Sequence, residues 1–140
     1  SENRAADNVE QDIIEVREGE KKIDILVGMV MEESFEKVLV SAETKRGVTR
    51  ICRDLRKAGI SADEIHGDKS QNYRIKALNS FRKRQIRVLV ATDVAARGLD
   101  ISNVSHVINF QPPKDMESYI HRIGRTGRAG ATGKALTFIN

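Results

Sequence analysis

An α/β fold is expected from this sequence, with a mostly parallel sheet covered by helices on both faces. Two observations lead there. Short strands such as residues 37–42 (KVLVSA) and 87–92 (RVLVAT) are apolar on both sides, as strands buried on two faces must be. They alternate with stretches of helical periodicity, and parallel strands need a crossover helix between them.

The elements follow in order. Residues 9–16 carry β-branched side chains on both faces (Val9, Ile13, Ile14, Val16), and Gly19 closes this first strand. Ile23, Leu26, Val27, Val30 and Met31 then recur at helical spacing and form one stripe. After the strand at 37–42 comes a helix with Val48, Ile51, Cys52 and Leu55 on one face and Gly59 as its stop. Residues 61–66 read as a short strand, and 70–82 as a helix with Ile75, Leu78 and Phe81 inward. The strand at 87–92 leads into a short segment of ambiguous type. Residues 104–110 (VSHVINF) are a strand ended by Pro112 and Pro113. Residues 116–124 are helical, and 134–139 form the last strand. Crossovers should be right-handed. With no repeat, low-complexity tract or linker, the expectation is one domain over 9–140, preceded by a polar, disordered end at 1–8.

The chain has 140 residues and a formal net charge of +4. That mild basicity suits a polyanionic partner without demanding one. Cys52 is the sole cysteine, so an internal disulfide and a thiolate zinc site are excluded, and its place on an apolar stripe predicts a plain buried thiol. No apolar run approaches the roughly 18 residues of a membrane helix, and no signal-peptide pattern opens the chain. A cytoplasmic or at least intracellular location is the expectation, with no membrane partner and the nucleus left open.

Ligands of open parallel sheets gather at the carboxyl ends of strands. Three such ends share one chemistry: Thr44, Lys45 and Arg46; Gly67, Asp68, Lys69 and Ser70; Thr92 and Asp93. Each leads into a helix start, where free N–H groups favour anions. The hydroxyls either cap those helices or, with the nearby cations, form a track for successive phosphates. Gln71 and Arg74, three apart, can face the same way on a helix.

Two further stretches carry chemistry. In HRIGRTGR (121–128), Arg122, Arg125 and Arg128 recur every third residue, with Gly124, Gly127 and Gly130 between or just beyond them. Glycine builds helix poorly but lets another backbone or a phosphate chain approach the arginines closely, and arginine's planar fork grips phosphate oxygens at two points. In ATDVAARGLDI (91–101), Asp93, Arg97 and Asp100 are set among small residues, which leave room for a ligand or a second domain. Asp100 suits a ribose hydroxyl. Two decoys fail. Gly133-Lys134 lacks the rest of a phosphate-binding loop, and Asp63-Glu64 sits on a short strand. Without a phosphate-cradling loop or a magnesium ligand, phosphoryl transfer has no centre here.

Together these stretches resemble the C-terminal RecA-like domain of DEAD-box RNA helicases, over about residues 9–139. ATDVAARGLDI is similar to the family's motif V, HRIGRTGR to its motif VI, and Gln71-x-x-Arg74 after His66-Gly67-Asp68 to its Gln-x-x-Arg motif. Motif IV of the family often has an aromatic residue where this chain reads VLVSAET. The resemblance implies half of an ATP-dependent RNA helicase, inactive alone. Arg125 and Arg128 would be catalytic arginine fingers. Asp100 and Arg97 would join them in binding ATP, and His121 would link the domains. Thr44, Lys45, Gly67, Gln71, Arg74 and Thr92 would bind the RNA backbone with little sequence preference. ATP would arrive with Mg2+ held mainly by an N-terminal RecA-like domain of the same protein. That domain, RNA and regulatory proteins are the implied partners. The rival expectations are a DNA helicase or translocase of the same superfamily, a non-catalytic docking module, and a small-molecule Rossmann domain. The last lacks its Gly-x-Gly-x-x-Gly turn.

Overall fold

The computed structural model describes residues 9–97, 99, 101–126 and 133–140. Six parallel strands form one sheet: β1 (Val9–Glu15), β2 (Val38–Ala42), β3 (Ala62–Ile65), β4 (Val88–Thr92), β5 (His106–Asn109) and β6 (Gly133–Ile139). Their spatial order is β1-β6-β5-β2-β4-β3. The helices among the described residues are α1 (Lys22–Val30), α2 (Lys45–Lys57), α3 (Gln71–Arg82), α4 (Asp93–Arg97) and α5 (Met116–Ile123).

Right-handed crossovers account for where each helix lies. From β1 through β2 to β3 the chain steps across the sheet in one direction; from β3 through β4 and β5 to β6 it steps back. Reversing the direction of travel moves a right-handed connection to the opposite face. So α1 and α2 share one face, where Leu26, Val30, Val48, Ile51 and Leu55 pack on Val38, Val40, Val88, Val90, Ile108 and Phe138. On the other face, Ala77, Leu78 and Phe81 of α3 and Ala95 and Ala96 of α4 cover Leu39, Ile65, Leu89, Ala91 and Val107. Tyr119 and Ile123 of α5 pack near Val9 and Ala135 on β1 and β6. The period-two alternation within β2 and β4 thus feeds two separate cores. Burying the Val, Leu, Ile and Phe side chains among these contributes roughly 1.5–3 kcal/mol each.

Helix ends are set by local chemistry. Thr44, Ser70 and Asp115 cap α2, α3 and α5, each accepting from the N–H three residues on. Gly59 adopts φ +84 just past α2, a left-handed turn that glycine takes without a Cβ clash. Cys52 is buried in α2, as expected, and burial pushes its thiol up to about 11.

Three expectations need correction. Ile75 is 44% exposed, whereas Ala77 occupies the inward place beside Leu78 and Phe81. At about 100° per residue Ile75 lies roughly 120° round the helix from Phe81, and Ala77 only about 40°. Met31 is 56% exposed because α1 ends at Val30. The segment after β4 is a one-turn helix, α4, rather than an ambiguous stretch.

Candidate nucleic-acid and nucleotide interface

Strand order makes β3, β4 and β2 consecutive, so the three strand ends singled out above lie side by side along one edge. All three hydroxyls are capping groups: Thr44 Oγ1 accepts from Gly47 N at 3.0 Å, Ser70 Oγ from Tyr73 N at 3.1 Å, and Thr92 Oγ1 from Ala95 N at 3.3 Å. A capping hydroxyl spends a lone pair and keeps its O–H to donate outward. Capping and phosphate binding are therefore compatible on the same side chain. Gly47 has a local reason to be glycine, since a Cβ there would sit 3.2 Å from Thr44 Oγ1.

The edge is cross-braced. Lys45 Nζ lies 3.0 Å from Asp68 Oδ1, joining the start of α2 to the β3–α3 turn and holding the Asp68 carboxyl below its usual range. Arg74 donates to Gln71 Oε1 at 2.9 Å, while its buried Nε has no partner. Gly67 is exposed with open space where a Cβ would stand, so packing does not require glycine there. Beneath this edge, Glu64 and His66 are buried; Lys69 Nζ reaches Glu64 at 3.1 Å and the His66 ring lies 3.4 Å from Thr49 Oγ1.

A second cluster lies beside β2, between α4 and α5. A cavity floored by Leu39 and Ser41 is walled by Asp93, Ala96 and Arg97 of α4 and by Ser118, His121 and Arg122 of α5, with Arg125 beyond. Arg97 and His121 are exposed at its mouth. Arg125 is half-buried and donates to the carbonyls of Ala96, Leu99 and Ile101 at 3.1–3.2 Å, so its guanidinium holds the loop after α4. Helix α5 ends at Gly124, after which Thr126 bridges to Val104 and donates to its carbonyl.

Arg122, grouped with Arg125 and Arg128 by its spacing, has a different role from the phosphate contact assigned to those two. It is 8% exposed. Its guanidinium clamps both carboxylate oxygens of Asp93 and also donates to Asn109 Oδ1 at 2.9 Å. Asn109 in turn donates to Thr137 Oγ1 at 2.9 Å. Asp93, placed with the phosphate track above, is thereby committed to tying α4 to α5.

The sequence from 21 to 130 matches the model of the helicase conserved C-terminal domain. Over 132 residues, 94% of the chain, it is 52% identical to the DEAD-box ATP-dependent RNA helicase CshA of Geobacillus kaustophilus. The fold superposes with a TM-score of 0.88 on the E. coli DEAD-box protein SrmB, solved bound to regulator of ribonuclease activity A, at 37% identity over 94% of this chain and 77% of that one. The chain is a DEAD-box helicase C-terminal domain. It also matches S. cerevisiae Dbp5 bound to RNA and ADP BeF3, at 31% identity and a TM-score of 0.85 over 96% of this chain and 36% of that one. The chain spans 28% of the length of the Geobacillus relative.

In this DEAD-box domain the expected residues fall into two groups. Thr44, Lys45, Gly67, Gln71, Arg74 and Thr92 lie along the β2–β4–β3 edge. Arg97, His121 and Arg125 meet at the α4–α5 cavity. Asp100 and Arg128 lie outside the described residues, as do Gly98, Gly127 and Gly130. Gly133-Lys134 opens β6, and Asp63 is held by Arg56 and Tyr73. Among the described residues no three His, Cys, Asp or Glu side chains could hold a metal ion together, and no helix is long and apolar enough to cross a membrane. Sequence reasoning missed the Asp93–Arg122–Asn109 network. The signal was an arginine on a helix whose other neighbours, Tyr119 and Ile123, face inward.

Proposed function

We propose that this domain grips the sugar-phosphate backbone of RNA along its β2–β4–β3 edge and completes an ATP site at its α4–α5 cavity. It would do so as the second half of an intracellular, two-domain RNA helicase. The observation that carries the reading is the separation of the two clusters on one rigid sheet, which lets closure against another domain engage both ligands together. Outward O–H groups at Thr44, Ser70 and Thr92, the cations Lys45 and Arg74, and the open backbone at Gly67 suit a polyanion read without regard to base. Dbp5, a relative of the same fold, has been solved bound to RNA and ADP BeF3.

At the cavity, Arg97 and Arg125 bring two permanent positive charges beside the floor of Leu39 and Ser41, a donor set that fits the phosphates of a nucleotide. Arg125 and Arg128 are assigned as the fingers, Asp100 to the ribose, and His121 to the contact between domains. ATP supplies the phosphoryl group when bound, with Mg2+ held mainly by the other domain. Arg125 would leave its carbonyls for the phosphate, exchanging charge-assisted hydrogen bonds of about 1.5–3 kcal/mol each for stronger ones. RNA and ATP would each favour the closed arrangement and so each other's binding. RNA bent in that closed state cannot stay in a regular duplex, and loss of the γ-phosphate reopens the domains.

The test is made in the full-length protein. Arg125→Ala is expected to lower RNA-stimulated ATP turnover by about 10³-fold or more, with an unchanged circular dichroism spectrum. Arg125→Lys keeps the charge without the fork and should also fall well below the parent. Undiminished turnover in either variant would falsify the finger assignment. The domain alone is expected to show no ATP turnover.

A further inference from the structure

We infer that the outward face of α2 is a second RNA-binding surface, a cationic rail for the phosphate backbone of the segment flanking the one held at the strand ends. The inference rests on the reading of the β2–β4–β3 edge as the RNA grip, because the rail begins there. Helix α2 starts at Lys45, directly after Thr44, and crosses back towards the amino-terminal end of the sheet to feed β3.

Charge is concentrated along that path. The thirteen residues of α2 hold Lys45, Arg46, Arg50, Arg53, Arg56 and Lys57 against the single carboxylate of Asp54, a net of +5, whereas all 140 residues together carry +4. Val48, Ile51, Cys52 and Leu55 are the buried side of the helix. At about 100° per residue, Arg46, Arg50, Arg53 and Lys57 fall within an arc of about 60° on the opposite side, and all four are exposed. The other two cations are engaged, Lys45 with Asp68 and Arg56 with Asp63 and the Ala62 carbonyl. On the rail itself, Arg53 has only a 3.9 Å contact to the adjacent Asp54. Among the described residues no carboxylate pairs with Arg46, Arg50 or Lys57.

The outer face of a surface helix is ordinarily just solvated, but such faces mix signs, with acid and base four apart supporting each other. Here each neighbour three or four residues along the rail is another cation, an arrangement that costs helix stability. Arg46 also lies in the first turn, at the positive end of the helix dipole, where no acid offsets it. A polyanion relieves both costs. Successive rail cations rise by about 4.5–6 Å along an axis of about 16 Å from Arg46 to Lys57. A line of charges suits a linear phosphate chain, and three of the four are guanidinium forks that grip phosphate oxygens.

The test uses the full-length protein and two kinds of RNA: a single strand just long enough for saturable binding, and the same strand extended at either end by single-stranded or duplex RNA. At least one extension is expected to tighten binding by about tenfold at about 0.1 M salt, and the two arms show which form the rail takes. Arg50→Gln with Arg53→Gln should remove that gain and leave the affinity for the short strand nearly unchanged. For a single-stranded extension it should also lower the slope of log affinity against log salt by about 1.4. Arg50→Glu places an acid between Arg46 and Arg53, so it should raise the unfolding temperature while abolishing the gain, opposite signs that a merely structural residue does not produce. Lys83→Gln with Arg84→Asn removes as much charge from the end of α3, on the other face of the sheet, and should leave the gain intact; Arg84 sits at φ 60, which asparagine accepts. A short strand that fails to bind would sink the strand-end reading and the rail with it. A short strand that binds, with extensions that add nothing or a gain that survives Arg50→Glu, would overturn the rail alone. Equal displacement of the extended RNA by poly-glutamate would also overturn it, by making the face a surface for acidic peptide.

Discussion

Arg122 and Asp93 form a two-pronged ion pair in which the arginine side chain is 6% exposed and the aspartate 32%. The pair pins α5 to the start of α4, and so sets the distance between the two helices that wall the candidate nucleotide cavity. Removing Asp93 strands a buried cation beside Asn109. Asp93→Ala is expected to cost about 3 kcal/mol in urea unfolding, while the double variant Asp93→Ala, Arg122→Met recovers a good part of it. A double variant no more stable than the single would show that the pair is not the source of the loss.

Phosphate contacts leave a mark in salt dependence. If Arg74 holds one RNA phosphate, Arg74→Ala in the full-length protein should weaken single-stranded RNA binding uniformly across sequences. It should also reduce the slope of log affinity against log salt by about 0.7. Fluorescence anisotropy at several salt concentrations measures both. An unchanged slope would remove Arg74 from the contact.

Caps contribute to folding whether or not they also meet a ligand. Ser70→Ala should destabilise the domain by about 1 kcal/mol through loss of the bond from Tyr73 N. If the hydroxyl also donates to RNA, Ser70→Ala weakens binding while Ser70→Gly, nearly neutral as a cap, weakens it equally. Thermal denaturation and RNA titration on the same two variants separate the effects.

His106 stacks on Phe35, with ring centroids 3.8 Å apart, and burial pushes its imidazole down to about 4. The unfolded chain, with an ordinary value near 6.5, binds a proton that the folded state refuses. Stability is therefore complete above about 6.5 and declines as pH falls towards 4, by roughly 3 kcal/mol at the lower end. His106→Gln should flatten that part of the stability–pH curve. An identical curve in the variant would assign the decline to carboxylates instead.

The thiol of Cys52 offers a direct probe of opening. Being 1% exposed and pushed up to about 11, it should resist iodoacetamide in the native domain. Alkylation should track the unfolded fraction as urea rises. Rapid native modification would contradict the packing of α2 on the sheet.

Much of the fold was legible in the chain. Val38, Val40 and Ala42 face one core while Leu39 faces the other, and an apolar run of this kind suits only a strand covered on both sides. Stripes such as Val48, Ile51, Cys52 and Leu55 identify a helix because side-chain periodicity is local. The same locality explains the misses. Ile75 and Met31 are apolar enough to join a stripe, yet whether a flanking position is covered depends on what packs there. Residues 93–97 are too short for a period to show.

For the candidate site, residue types and spacing named Thr44, Gln71, Arg74, Arg97 and Arg125, since hydroxyls, amides and guanidinium groups carry their hydrogen-bonding chemistry with them, while His121 was named by the family resemblance. Which of them become neighbours is another matter. Adjacency of β2, β4 and β3 comes from strand order, and strand order from long-range pairing that leaves no trace in a short window. The division of labour among the arginines was settled in the same way: Arg122 and Arg125 are alike in composition and three residues apart. One faces a buried carboxylate and the other a row of carbonyls, because burial and partner are properties of the assembled helices and sheet.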